Sequence, residues 1–138
     1  MLHPTPEVIS RVPLFSALEP RELERIADAF KERRYSAGET MASEGQKGVG
    51  FFVIAEGTAS VSVAGDQRGS LGPGDYFGEI ALIDEGARTA TIVADTDLTC
   101  YGMTFWDFKP VVEADGRIAW KLLQALAGKL RAAEQRPQ

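Results

Sequence analysis

The spacing of hydrophobic residues divides the chain into three stretches. Over residues 5–32, apolar side chains recur near the 3.6-residue period of amphipathic helices. Over residues 35–103, short extended runs alternate with turns, and most of the 14 glycines lie in this stretch. Over residues 104–136 the helical period returns. The pattern predicts one domain, residues 1–138, that is mainly β with helices at both ends.

The clearest strand signal is the segment TASVSV, residues 58–63. Its apolar residues alternate with hydroxyl residues, which predicts one face toward a core and one toward solvent. Glu56-Gly57 before it and Gly65-Asp66 after it predict hairpin turns. Short strands at regular intervals are typical of a β-sandwich or a β-barrel.

The C-terminal stretch predicts two helices. Thr104 followed by Asp107 has the spacing of a capping box, which marks the start of the first. The second is expected from about 116 to 135, and its apolar stripe recurs every four residues at Ile118, Leu122, Leu126 and Leu130.

Composition narrows the functional classes. The 138 residues include 44% hydrophobic residues and carry a net charge of −5, so the chain has the composition of a folded protein and a field that repels nucleic acid. The longest apolar run, FFVIA at 51–55, is far too short to span a membrane. The only cysteine, Cys100, cannot form an internal disulfide, and no segment resembles a signal peptide. We expect a soluble cytoplasmic protein that binds neither DNA nor membrane.

The segment FGEIALIDEGARTATI, residues 77–92 and called the cassette below, carries the candidate chemistry. EIAL can form one helical turn, whose first N–H groups would point past Gly78 and favour an anion. Arg88 can grip a phosphate with its planar guanidinium, and Thr89 adds a hydroxyl. The cassette therefore predicts a site for one small phosphate.

Three acidic residues in the cassette restrict that ligand. An ionised Glu79 accepts hydrogen bonds but donates none, so it suits a ribose 2′-hydroxyl better than a phosphate. Asp84 and Glu85 would oppose an anion, so we expect them to face water. An alternative is that Glu79 and Arg88 form a structural ion pair.

The cassette resembles the phosphate-binding cassette of the cyclic nucleotide-binding domain family. The resemblance covers nearly the whole chain, because VPLFSALEPRELERIA is similar to the family's N-terminal helices and GETMASEG, FFVIAEGTASVSV and LGPGDYFGE to its strands. It implies that Glu79 binds the ribose 2′-hydroxyl and Arg88 the cyclic phosphate. It also implies backbone contacts from Gly78, Ile80 and Ala81, a cassette end at Thr89 and Ala90, positions near the base for Val61 and Arg68, and apolar contacts from Leu126 and Leu130, with Lys129–Arg131 approaching the base.

The resemblance implies an antiparallel β-roll, a jelly-roll-like barrel, with helices at both ends. It also implies a stand-alone receptor whose ligand is cAMP or cGMP, with cAMP favoured, and which signals by moving its C-terminal helix. A second copy of the chain, bound through that helix, and a downstream protein are the expected partners. A metal-dependent barrel enzyme is not expected because the only histidine is His3, and no cofactor or catalytic residue is expected. A transcription regulator would continue into a DNA-binding module, whereas this sequence ends at Gln138, so DNA binding is not expected. The remaining alternative is a β-roll scaffold for protein contacts that does not respond to ligand.

Overall fold

A computed structural model of the chain describes residues 3–47, 50–84 and 86–135. Two helices precede the strands and two follow them: α1 (Pro6–Ser10), α2 (Pro20–Asp28), α3 (Phe105–Ala114) and α4 (Gly116–Glu134). Short 3-10 turns span Pro13–Phe15 and Glu79–Leu82. The strands are β1 (Lys31–Tyr35), β2 (Thr40–Ala42), β3 (Gly50–Glu56), β4 (Ala59–Val63), β5 (Asp66–Leu71), β6 (Tyr76–Phe77), β7 (Thr91–Ala94) and β8 (Leu98–Thr104).

The strands form two four-stranded sheets, ordered β1-β8-β3-β6 and β2-β7-β4-β5. All of their pairings are antiparallel, which confirms the predicted antiparallel β-roll. The hairpin predicted at Gly65-Asp66 joins β4 to β5. Ala64 and Gly65 form its turn, both with positive φ, as a tight two-residue hairpin requires.

The hairpin predicted at Glu56-Gly57 is wrong. β3 and β4 belong to different sheets, so the chain crosses from one sheet to the other at this point. Gly57 has a φ of 90°, and a Cβ there would lie 2.5 Å from the Asp97 carbonyl oxygen. The glycine is required for a close crossing, a need that its sequence neighbours do not distinguish from a hairpin.

The predicted boundary between helices and roll is also displaced. Residues 31 and 32 were expected in the helical stretch, but β1 begins at Lys31 and pairs with β8 along its full length. β1 lies at the edge of its sheet and exposes most of its side chains, so KERRY lacks the apolar alternation of a half-buried strand. At the other end of the chain α4 ends at Glu134. Position 136, where the helical stretch was expected to end, lies outside the described residues.

β3 separates two hydrophobic cores. Phe51 and Val53 face a core built with the helices, whereas Phe52 and Ile54 face a core inside the roll. This is the two-residue alternation of a strand that is buried on both faces. Cys100 lies in the core of the roll, where burial raises the pKa of its thiol to about 12, so it acts as a small buried apolar residue.

The predicted capping box starts α3. The Thr104 side-chain oxygen accepts a hydrogen bond from the Asp107 amide at 3.2 Å, and the Asp107 carboxylate accepts one from the Thr104 amide at 3.0 Å. Two backbone donors at the helix start are thereby satisfied.

The predicted apolar stripe of α4 faces the core only in its first half. Ile118 and Leu122 are buried and Leu126 is partly buried, but Leu130 is 63% exposed. Each four-residue step turns about 400° around a helix, so Leu130 lies about 120° away from Ile118. Lys129, eleven residues after Ile118, returns to within about 20° of it.

Candidate functional site

The cassette begins with a backbone feature that only glycine accommodates easily. Gly78 has a φ of 88°, and the predicted helical turn follows it as the 3-10 turn Glu79–Leu82. A Cβ at Gly78 would lie 2.5 Å from the Gly50 carbonyl oxygen and would overlap the Arg88 guanidinium. The buried Leu82 anchors the turn in the core shared with the helices. Gly78 thus lets the start of the turn lie directly against Arg88.

Arg88 is half-buried and held in place by neutral groups. Its guanidinium donates a hydrogen bond to the Gly50 carbonyl oxygen and lies 5.9 Å from the centre of the Phe77 ring. Burial lowers the pKa of Arg88 below its ordinary value by removing hydration from the charged form. Among the described residues no carboxylate oxygen lies within 4.0 Å of it, so the alternative of a structural Glu79–Arg88 ion pair is wrong.

The backbone around Arg88 is fastened to the loop that follows β2. The Gly45 amide donates to the Arg88 carbonyl oxygen at 2.9 Å, and the Arg88 amide donates to the Gln46 carbonyl oxygen at 2.8 Å. A β-bridge between Lys47 and Ala87 continues this pairing. These bonds fix where the guanidinium leaves the backbone.

A cavity of about 550 Å³ lies beside the cassette, within the size range of small-molecule sites. Six predicted site residues line it: Gly78, Glu79, Ile80, Arg88, Thr89 and Ala90. Sequence reasoning missed the apolar part of the lining, which comes from Ala42, Phe77 and Ile92. Periodicity marks such residues as core positions, and it does not reveal that the core opens there.

Asp84 is exposed, which agrees with the expectation that it faces water, and it also belongs to the residues that line the cavity. Glu85, which was given the same expectation, lies outside the described residues. The cavity therefore contains two acidic side chains, Glu79 and Asp84, besides Arg88.

Three further predicted site residues, Val61, Arg68 and Leu130, are not among the described residues that line the cavity. Val61 packs against the core of the roll, Arg68 is exposed on β5, and Leu130 is exposed on α4. Ala81 lies within the 3-10 turn. The predicted base contacts are thus not assembled in this structure.

Glu79 is paired with the C-terminal helix. The Lys129 Nζ lies 3.3 Å from the Glu79 Oε1, and 18% of the Glu79 side chain and 38% of the Lys129 side chain are exposed. Burial, and then the negative charge of Glu79, raise the pKa of the neighbouring Tyr76. Sequence reasoning placed Lys129 near the base and missed its contact with Glu79. The available signal was the eleven-residue interval between Ile118 and Lys129, which places these two residues on one face of α4.

Two further ion pairs fasten the first half of α4 to α2. The Lys121 Nζ lies 2.6 Å from Glu22 Oε1, and Arg25 Nη1 lies 3.0 Å from Asp115 Oδ2. Burial alone raises the pKa of Glu22, but hydrogen bonds from Lys121 and the Glu19 amide outweigh it and leave the pKa below its ordinary value. The start of α4 is therefore held by charge as well as by apolar packing.

Within the described residues the chain has neither a cluster of metal-ligating side chains nor a helix suited to crossing a membrane. No group of three or more His, Cys, Asp or Glu side chains within 3–47, 50–84 and 86–135 is arranged to hold a metal ion. No helix in the same ranges is long and apolar enough to cross a membrane.

An antiparallel β-roll flanked by helices, with a glycine-glutamate turn packed against a half-buried arginine beside a cavity, defines a small-ligand-binding regulatory domain. The chain belongs to the cyclic nucleotide-binding domain family, whose pattern matches residues 32–115.

Relatives support this membership. A cAMP-dependent protein kinase regulatory subunit of Mycosarcoma maydis is 40% identical over 123 residues, 86% of this chain and 22% of the relative. A cyclic AMP receptor protein of Thermus thermophilus is 32% identical over 127 residues, 88% of this chain and 59% of the relative. The N-terminal domain of a transcriptional regulator from Streptomyces coelicolor A3(2) has a TM-score of 0.83 at 29% identity, with 92% of each chain covered. The chain thus spans 22% and 59% of the length of these two curated relatives.

Proposed function

We propose that this chain is a receptor module for a cyclic mononucleotide, cAMP in preference to cGMP. The observation that carries the proposal is the Arg88 guanidinium, which lines the cavity with no carboxylate within 4.0 Å among the described residues. A half-buried cation without an anionic partner is a strong site for a phosphate. The names of the two curated relatives, a cAMP-dependent kinase subunit and a cyclic AMP receptor protein, favour cAMP.

The geometry of the cassette supports the roles that the family resemblance implies. Arg88 binds the cyclic phosphate, and the backbone of Gly78, Ile80 and Ala81 approaches it from the 3-10 turn. Glu79 accepts a hydrogen bond from the ribose 2′-hydroxyl. The module binds its ligand without chemical conversion and needs no other cofactor.

The base is contacted after α4 moves. Val61, Arg68 and Leu130 are the residues proposed near the base, and none of them lines the cavity in this structure. A ligand moves a helix only if it binds one helix position better than the other. We therefore assign the signal to a change in the position of α4, read by a downstream protein.

A second copy of this chain is the proposed partner of α4. Trp120, Leu123 and Leu130 are more than half exposed, and with the exposed Ala127 they recur at intervals of three and four residues. This spacing is the apolar seam of a two-helix coiled coil. In the alternative function, a scaffold that does not respond to ligand, the same exposed apolar residues of α4 would bind a partner and the cavity would have no role.

Calorimetric titration with cAMP and cGMP tests the proposal. Arg88→Ala removes the charge partner of a buried phosphate, a loss of about 2–5 kcal/mol, so affinity should fall at least tenfold. Arg21→Ala, on the exposed side of α2, removes the same charge away from the cavity and should bind as the wild type does. Arg88→Lys keeps the positive charge at this position and serves as a second variant if Arg88→Ala does not fold. Equal affinity in Arg88→Ala and the wild type, or no binding by the wild type, would refute the receptor function and favour the scaffold.

A further inference from the structure

The ion pair between Glu79 and Lys129 joins the proposed ribose acceptor to the helix proposed to move. The Lys129 Nζ is 3.3 Å from Glu79 Oε1, and among the described residues it is the one cationic atom within 4.0 Å of that carboxylate. The carboxylate lines the cavity, whereas Lys129 belongs to the last turns of α4. One contact therefore links the ligand site to the C-terminal helix.

The same contact covers the ribose acceptor. With Lys129 in place, only 18% of the Glu79 side chain is exposed. The ammonium group lies at Glu79 Oε1, and the small exposed fraction of the side chain leaves little surface for a hydroxyl that donates to the carboxylate from the cavity. A second donor therefore loses part of its access to this carboxylate while Lys129 stays paired.

The two halves of α4 are held unequally. Ile118 and Leu122 are buried, and the ion pairs of Lys121 and Asp115 fasten the first half to α2. Beyond Leu126 most side chains are exposed, and Gly128 lowers helix stability immediately before Lys129. In the described part of this second half, the pair with Glu79 is the one ion pair to the roll.

We propose that Lys129 and the ribose of the ligand compete for Glu79, so that binding of a ribonucleotide frees the second half of α4 from Glu79 and lets it take the position in which it contacts the base. The inference rests on the proposed function and adds the residue that couples ligand to helix. Without ligand, Lys129 holds the helix end on the cassette. A ribose hydroxyl takes its place on Glu79, and the helix end is then free to adopt its second position.

The size of the competition follows from the exposure of the pair. Partly exposed ion pairs are weak, so displacement of Lys129 should lower ribonucleotide affinity by up to about fivefold. A ligand without the 2′-hydroxyl does not use Glu79 and does not meet this penalty. The effect of Lys129 on affinity must therefore depend on the 2′-hydroxyl.

Calorimetry on Lys129→Met tests this dependence. cAMP should bind up to about fivefold more tightly to Lys129→Met than to the wild type, whereas 2′-deoxy-cAMP should bind both equally. Arg117→Met, in the first turn of the same helix, makes the same charge change at an exposed position without a described ion pair and should alter neither affinity. Unchanged or weaker cAMP binding by Lys129→Met would overturn the competition and make Lys129 neutral or part of the bound site.

A zero-length carbodiimide cross-link, located by mass spectrometry, tests the contact directly. Glu79 and Lys129 should cross-link in the ligand-free protein, and saturating cAMP should abolish the product. A missing product without ligand, or a product that persists with cAMP, overturns this inference alone, provided that cAMP binds. No cAMP binding by either the wild type or Lys129→Met overturns the receptor function and the inference together.

Discussion

Replacement of Gly78 by alanine should damage the ligand site although it removes no charged group. Gly78 has a φ of 88°, a region in which an L-residue costs about 1–2 kcal/mol. A Cβ there would also lie 2.5 Å from the Gly50 carbonyl oxygen and against the Arg88 guanidinium. Relief requires either β3 or Arg88 to move, and overpacking of this kind costs about 1–3 kcal/mol more.

Gly74 is a matched control. It has a φ of 89°, but a Cβ at Gly74 would have no atom within 4 Å. Gly74→Ala should therefore lose about 1–2 kcal/mol of stability from backbone strain alone, and Gly78→Ala about 2–5 kcal/mol from strain and overlap together. Both variants stay folded if the unfolding free energy of the wild type exceeds about 5 kcal/mol.

Urea unfolding and calorimetric titration measure the two effects separately. Gly78→Ala should bind cAMP at least tenfold more weakly, which corresponds to about 1.4 kcal/mol, because the displaced Arg88 no longer faces the phosphate. Gly74→Ala should bind as the wild type does. Equal unfolding free energies and equal affinities in the two variants would refute the close packing of Gly78 on Arg88.

Three further predictions concern the base, acid stability and association. Thr89→Ala should weaken cGMP binding up to about tenfold and leave cAMP binding unchanged, because the hydroxyl would accept a hydrogen bond from the guanine amino group; equal losses in competition titrations would remove Thr89 from base selection. The pKa of Glu22 is lowered in the folded state, so its stabilisation is complete above pH 4.5 and is lost as pH falls through the folded value. The urea midpoint of Glu22→Gln should therefore fall less than that of the wild type as the pH is lowered. An equal dependence of the midpoint on pH in both proteins would contradict this. Leu123→Lys should convert a dimer to a monomer in sedimentation analysis, and a wild type that sediments as a monomer would contradict the second copy.

The sequence predicted the chemistry of the cassette better than its surroundings. Gly78 and Arg88 could be recognised because left-handed backbone, close approach and phosphate binding each restrict the residue type. The apolar wall at Phe77 and Ile92 could not be distinguished from ordinary core, since a strand that faces a cavity has the same alternation as one that faces a filled interior.

The errors outside the site have a common physical origin. KERRY was missed as a strand because an edge strand needs no apolar face, and its pairing with β8 depends on residues about 70 positions away. Leu130 was placed on one apolar stripe with Ile118 because a four-residue repeat appears continuous in sequence, while it turns steadily around the helix. In each case long-range geometry decided the position of the side chain.

The ion pairs between α2 and α4 have a consequence for the order of folding. Glu22 and Lys121 are 99 residues apart in sequence, so the helical core is completed by opposite ends of the chain. During synthesis, α2 emerges first but must wait for Ile118 and Leu122 before its apolar face is covered. The strands between them can pair earlier, because the β4–β5 hairpin is local. Until residues 116–122 have been synthesised and can fold, a nascent chain would therefore carry the β4–β5 hairpin and an N-terminal helix whose apolar face is uncovered.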